Sequence, residues 1–167
     1  MNKVKENNEM LEKINQCFLS LGSAVEKNIY EIIKAAGEIF DGAYVLYKGE
    51  EGQFLCVHAG WQMPEDLDVM DKKEGHICYD VIKRGDDKPF IVYDLDRTSY
   101  AETDPNVNKY KLKTYIGFVV KCKDKAVGSL CVVFQNNRDF SETELEALSI
   151  LAKALGMQEK WRSAEEE

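Results

Sequence analysis

Residues 114–134 read Thr-Tyr-Ile-Gly-Phe-Val-Val-Lys-Cys-Lys-Asp-Lys-Ala-Val-Gly-Ser-Leu-Cys-Val-Val-Phe, two β-rich runs on either side of Lys123-Asp124-Lys125. Both runs are rich in β-branched and aromatic residues, and so short a polar turn joins only antiparallel strands. Upstream, Ala43–Lys48 and Gln53–Gly60 repeat the pattern around Gly49-Glu50-Glu51-Gly52, a second hairpin signal. Phe90–Tyr93 adds a brief strand that ends at Asp94. The centre of the fold is therefore an antiparallel sheet.

Helices flank it. Met10, Leu11, Ile14, Cys17, Phe18 and Leu21 recur at helical spacing until Gly22-Ser23 interrupts them. A second helix aligns Val25, Ile29, Ile32, Ile33, Ala36 and Phe40 on one face and stops at Asp41-Gly42. Ile77–Ile82 reads as a short helix closed by Gly85. At the other end, Ser141-Glu142-Thr143-Glu144 is a capping box, in which serine and glutamate each satisfy a free helix N–H. The helix it opens carries Leu145, Leu148, Leu151, Ala152 and Leu155. Residues Asp96–Lys113 form a long polar connection, of the kind that serves as a lid or contains short helices. The expected order is α-α-β-β-α-β-(long loop)-β-β-α. This is an α+β fold with terminal helices on one sheet face and the short helix and long loop on the other, over a cavity.

Composition bounds the function. The 167 residues suit one domain, 1–167, with an N-terminal helix within 1–22 and a C-terminal helix within 141–167. Twenty-two Lys and Arg against 30 Asp and Glu give a net charge of −8, which disfavours nucleic acid and anionic membranes as partners. Five cysteines (Cys17, Cys56, Cys78, Cys122 and Cys131), odd in number and without a CxxC pair, argue against a disulfide framework or a structural zinc site. With no signal peptide and no long apolar run, a cytoplasmic location is expected.

Four stretches, in order, resemble the GAF domain family of small-molecule-sensing modules. Gly75-His-Ile-Cys-Tyr-Asp-Val-Ile-Lys-Arg-Gly85 resembles the helix over that family's ligand pocket, and Lys88-Pro-Phe-Ile-Val-Tyr-Asp94 the strand that follows. Tyr115-Ile-Gly-Phe-Val-Val120 with Ala126-Val-Gly-Ser-Leu-Cys-Val-Val133 resembles its paired strands. Asp139-Phe-Ser-Glu-Thr-Glu-Leu-Glu-Ala-Leu148 resembles the entry into its last helix. The resemblance implies a ligand pocket, homodimers formed through the terminal helices, and output to an effector domain or a partner such as a kinase.

Cys78 opens the short helix, where the helix dipole favours thiolate, and His76 lies two residues before it. The alternative is that Cys78 packs as a small hydrophobe. One GAF subgroup, the free methionine sulfoxide reductases, uses an attacking and a resolving thiol. Cys78 falls where one of these sits, yet Leu95–Lys113, the place of the other, holds no cysteine. Bilin-binding members carry a Cys-His pair, which does not occur here. The cyclic-nucleotide signature is partly matched by Asn137-Arg138, Phe140 and Glu144, with Leu145 breaking its acidic pair. Haem would need His58, Cys56 or His76 before a deep apolar slot.

Aromatic residues are concentrated on the strands and the long loop, and small-molecule sites are typically apolar and aromatic with a few placed polar groups. The expected ligand-binding set is Trp61, Cys78, Tyr79, Asp94, Tyr100, Tyr110, Tyr115 and Phe118. The expected function is non-catalytic: a ligand-sensing regulatory domain of a signal-transduction protein. The alternatives are a dimerisation or interaction module that binds no ligand, and a thiol-based reductase-like enzyme.

Overall fold

A computed structural model describes residues 2–166. Met1 and Glu167, the ends of the expected domain, lie outside the described residues. Helices α1 (Lys3–Ser20) and α2 (Val25–Phe40) come first, then strands β1 (Tyr44–Glu51), β2 (Phe54–Trp61) and β3 (Met70–Lys72). Helix α3 (Ile77–Arg84) leads to β4 (Phe90–Val92). A 3-10 turn (Leu95–Arg97) and two short helices, α4 (Tyr100–Thr103) and α5 (Pro105–Lys109), precede β5 (Thr114–Cys122), β6 (Lys125–Phe134) and α6 (Glu142–Glu166). The strands form one six-stranded sheet in the order β3-β2-β1-β6-β5-β4, and every pairing is antiparallel.

The deciding stretch folds as read. β5 and β6 pair from Thr114↔Phe134 to Cys122↔Lys125 around Lys123 and Asp124, both with positive φ. Such a two-residue turn follows the right-handed twist of its strands. Two details differ from expectation. Gly49, Glu50 and Glu51 are strand rather than turn, and the β1–β2 hairpin closes at Gly52-Gln53. The short edge strand β3 has no apolar alternation to announce it. The long connection carries the 3-10 turn, α4 and α5, and forms a lid.

The alternation of the strands divides the core in two. Val45, Tyr47, Ile116, Phe118, Val120, Leu130, Val132 and Phe134 face α2 and α6, whose Ile29, Ile32, Ile33, Leu148, Leu151 and Leu155 complete a nearly dry layer. Tyr44, Leu46, Tyr115, Val119, Cys131 and Val133 face the opposite way, under α3 and the lid residues Leu95, Val107 and Leu112. On the first face a buried amide pair ties the helices together. Asn28 Nδ2 donates to Gln158 Oε1 at 3.0 Å and to the Gly22 carbonyl at 2.8 Å. The capping box forms as expected, with Ser141 N–H on Glu144 Oε1 at 2.9 Å and Glu144 N–H on Ser141 Oγ at 3.2 Å. Of the α1 stripe, Ile14 and Cys17 turn inward, whereas Leu11 and Phe18 stay exposed.

Candidate functional site

On the lid face, β1 presents Tyr44, Leu46 and Lys48 at every second position, and β6 presents Val133, Cys131 and Ser129 opposite them. The register puts Lys48 directly across from Ser129 and Leu46 across from Cys131. Lys48 is 5% exposed, a rare depth for lysine. Its charge acts on the thiols of Cys78 and Cys131 and on the Asp71 carboxylate. Its side chain makes no direct hydrogen bond or ion pair with another described residue.

Tyr115 runs along β5 and over Gly117 to the middle of this cluster. Its hydroxyl oxygen lies 3.2 Å from Cys78 Sγ and 3.2 Å from Ser129 Oγ. Cys78 Sγ in turn is 3.7 Å from Cys131 Sγ. The hydrogen bond from Cys131, the Lys48 charge and the Tyr115 hydroxyl together outweigh burial and pull the Cys78 thiol down to about 6. Cys131 moves the opposite way, because it donates to Cys78 and is itself buried. Burial also holds the Tyr115 phenol neutral, so Tyr115 acts as a donor to the Cys78 thiolate.

The layer above is pinned by carboxylates. Buried Asp104 accepts the Ile77 N–H that starts α3 at 3.1 Å and the Asn106 N–H that starts α5 at 3.1 Å. One side chain thus caps two helices. His76 lies between Asp71 (Nε2 to Oδ2, 3.0 Å) and Asp104 (Nδ1 to Oδ1, 3.7 Å). The Tyr100 hydroxyl donates to Asp80 of α3 at 2.5 Å, and the Tyr110 hydroxyl to Asp66 at 2.8 Å.

The eight expected residues are therefore distributed as follows. Cys78 and Tyr115 meet at the centre. Tyr100 and Tyr110 belong to the lid and pack partly into its core. Tyr79 lies on the outer side of α3 between the ammonium groups of Lys73 and Lys83. Asp94 sits in a left-handed turn at the end of β4 and is occupied by Asn137, which accepts its N–H at 3.1 Å and donates to its carboxylate at 2.8 Å. Trp61 and Phe118 are corrections to the expected placement. Trp61 is paired with Val45 and covers Gly37 of α2, and Phe118 is three residues from Tyr115, so both point to the terminal-helix face. An odd offset along a strand reverses the face.

Lys48, Ser129, Cys131, the Asp71 and Asp104 carboxylates on either side of His76, and Asn137 as the partner of Asp94 were not singled out as a site by the sequence. The i, i+2, i+4 spacing of Tyr44, Leu46 and Lys48 was the available signal for Lys48.

The residues do not fit haem. His58 meets Tyr47 edge-on on the terminal-helix side, with ring centres 5.1 Å apart, and His76 turns both ring nitrogens to carboxylates. The basic–acidic pair of the cyclic-nucleotide signature does form, because Arg138 bridges to Glu144 while its guanidinium packs on Phe40, Phe134 and Phe140. A groove of about 850 Å³ opens beside that pair, against α1. It lies outside the lid face and is lined largely by exposed charged residues, so the buried cluster is the stronger candidate.

The GAF domain family model matches residues 25–158, most of the chain. The chain belongs to the GAF domain family. Solved structures share the fold at low identity. The GAF domain of a phosphoenolpyruvate-protein phosphotransferase from Coxiella burnetii is similar at 14% identity, with 98% of each chain covered and a TM-score of 0.79. A free methionine-R-sulfoxide reductase from Neisseria meningitidis, in complex with its substrate, is similar at 17% identity, with 98% of this chain and 95% of that chain covered and a TM-score of 0.76. The chromophore-binding domain of a bacteriophytochrome from R. palustris is similar at 10% identity, with 99% of this chain and 65% of that chain covered and a TM-score of 0.81. No curated protein sequence matches. These neighbours come from a phosphotransferase, a reductase and a bacteriophytochrome, and a shared fold does not choose among such roles. Among the described residues no helix is long and apolar enough to cross a membrane.

Proposed function

We propose that this GAF domain is a non-catalytic, small-molecule-sensing regulatory domain that takes its ligand between the sheet and the α3–lid layer. The observation that carries this reading is Lys48, a lysine 5% exposed on the lid face, whose charge acts on Cys78 and Cys131 beside Tyr115 and Ser129. A lysine set this deep beside ionisable thiols is the kind of perturbed polar cluster that marks a binding site. The lid docks through buried Leu95, Val107 and Leu112 and through hydrogen bonds accepted by Asp80, Asp66 and Asp104, and a ligand entering beneath it would act on these contacts. Only a ligand that favours one arrangement over the other shifts it. The domain acts in the cytoplasm and passes the change through α1 and α6 to an effector domain or a partner such as a kinase.

The test is thermal melting of the wild-type protein and of Lys48→Met against a panel of small organic metabolites. At least one compound should raise the wild-type melting temperature and lose that effect in Lys48→Met. A flat response of the wild type across the panel would contradict the reading. Incubation with free methionine sulfoxide and a thiol reductant should give no turnover, because the thiol that the reductase subgroup carries in the segment after Asp94 has no counterpart in Leu95–Lys113, and Cys131 lies on β6 instead.

A homodimer through the terminal helices has its own support. Val4, Leu11 and Phe18 recur every seven residues along α1 and are all exposed, the spacing of a coiled-coil seam. Ile14 is already used inside the domain, so the dimer test falls on the exposed pair. Leu11→Glu with Phe18→Glu should sediment as a monomer, and a dimer with both charges in place would refute the seam.

A further inference from the structure

The lid face holds a second chemical possibility that ligand binding does not use. We infer that Cys78 and Cys131 form a peroxide-reactive dithiol site, oxidised to an intramolecular disulfide by a small uncharged hydroperoxide. The two sulfurs are 3.7 Å apart, in van der Waals contact, and belong to different elements, the first turn of α3 and the centre of β6. A disulfide at about 2.0 Å needs their approach by less than 2 Å, which a small shift of α3 toward the sheet supplies.

Three features separate this pair from the other cysteines. Cys78 is surrounded by groups that favour its thiolate: the Cys131 thiol and the Tyr115 hydroxyl as donors, and the Lys48 ammonium as countercharge. The other ionisable groups acting on the pair are Asp104 and Tyr44; Asp104 opposes the thiolate, and burial keeps the Tyr44 phenol neutral. Cys17 shows the contrast, since burial and Glu31 push its thiol up to about 11. Cys56 and Cys122 are only partly buried, and neither is placed against a second thiol in the way Cys78 is. A thiolate is the nucleophile, and a resolving thiol at contact distance makes its oxidation reversible. The enclosed site selects an uncharged oxidant, because an ionic one would be desolvated on entry.

The chemistry balances within the pair. The Cys78 thiolate attacks one peroxide oxygen, the O–O bond breaks, and Cys78 becomes a sulfenic acid. The hydroxide that leaves takes up the proton that Cys78 lost on ionising and departs as water. The Cys131 sulfur then attacks the Cys78 sulfur, the S–O bond breaks, and the hydroxyl group leaves with the Cys131 proton as a second water. Two thiols are oxidised to one disulfide, and one hydrogen peroxide is reduced to two waters; an organic hydroperoxide would give one alcohol and one water. A dithiol reductant restores the starting state. Tyr115 and Lys48 are positioning residues, acting through the thiolate they stabilise.

The test treats the reduced, folded full chain with a stoichiometric amount of hydrogen peroxide, unfolds it in an alkylating reagent, and maps the peptides by mass. A Cys78–Cys131 linked peptide that disappears on reduction is the expected product. Cys131→Val should instead stop at a Cys78 sulfenic acid that a dimedone probe traps. Cys78→Ala should leave Cys131 reduced. Tyr115→Phe should slow linkage while leaving the linked peptide the same. If wild-type Cys78 and Cys131 are both recovered alkylated while Cys56 or Cys122 carries the oxidation, the proposal fails. Linkage in a protein that responds to no metabolite would leave the disulfide standing without the ligand-sensing reading.

Discussion

The Tyr115 ring lies across the Cα of Gly117, so close that a Cβ on residue 117 would fall 2.7 Å from the Tyr115 hydroxyl oxygen. This is what brings a side chain rooted near the end of β5 to Cys78 and Ser129 at the middle of the sheet. Any side chain at 117 must lift the ring and break both polar contacts. Gly117→Ala should therefore destabilise the fold by about 1–3 kcal/mol, as overpacking of a tight core does. Tyr115→Phe keeps the ring and removes the hydroxyl, and should cost about 1–2 kcal/mol. Urea unfolding followed by circular dichroism measures both.

Helix α6 packs tightly on the sheet at Gly156, where an added Cβ would run into the Lys121 carbonyl oxygen. That obstacle is backbone, and no rotamer relieves it. Gly156→Ala should cost about 3 kcal/mol, with α6 pushed away from β5. A loss of protection in α6 and β5 by hydrogen exchange, larger than in β1, would locate the damage.

Arg138 joins the end of β6 to the start of α6 by its ion pair with Glu144 and its packing on Phe40, Phe134 and Phe140. Glu144 also closes the capping box. Arg138→Ala should therefore destabilise by roughly 1–3 kcal/mol, through lost cation–π contacts and an unpaired Glu144. Arg138→Lys should recover only part of this, since an ammonium lacks the planar face. Denaturant titration of the two variants gives the order directly.

The lid should loosen in acid. The Tyr110 hydroxyl on Asp66 and the Lys113 ammonium on Asp96 hold both carboxyls below their ordinary range. A carboxyl lowered by folding stabilises the folded state above its unfolded pKa, and that contribution is lost as pH falls through the folded value. Hydrogen exchange in residues 95–113, corrected for intrinsic rates, should therefore accelerate relative to the sheet below about pH 4. Asp66→Asn with Asp96→Asn should remove that acid-dependent component. An equal pH response in the double variant would assign it elsewhere.

Much of this fold was legible because the decisive signals are local. The two-residue β5–β6 turn, the Ser141–Glu144 capping box and the apolar face of α2 each depend on neighbours within a few residues. The division of the β5 aromatics between faces was also present in the sequence, since Tyr115 and Phe118 differ by an odd number of positions. The cluster itself was not legible. Lys48, Cys78, Tyr115, Ser129 and Cys131 come from four elements, and only the register of β1 on β6 and the docking of α3 bring them together. The same holds for Asp94, whose partner Asn137 lies 43 residues away. β3 is three residues long, and pairing with β2, rather than any alternation of its own, makes it a strand.

The most direct test of the central claim is a native mass spectrum of the protein as purified, beside Lys48→Met prepared in the same way. The account predicts wild-type chains heavier than 19.1 kDa by the mass of a small organic molecule, and Lys48→Met chains at the bare variant mass. The same adduct retained in full by a folded Lys48→Met protein would contradict a ligand site built on the buried lysine.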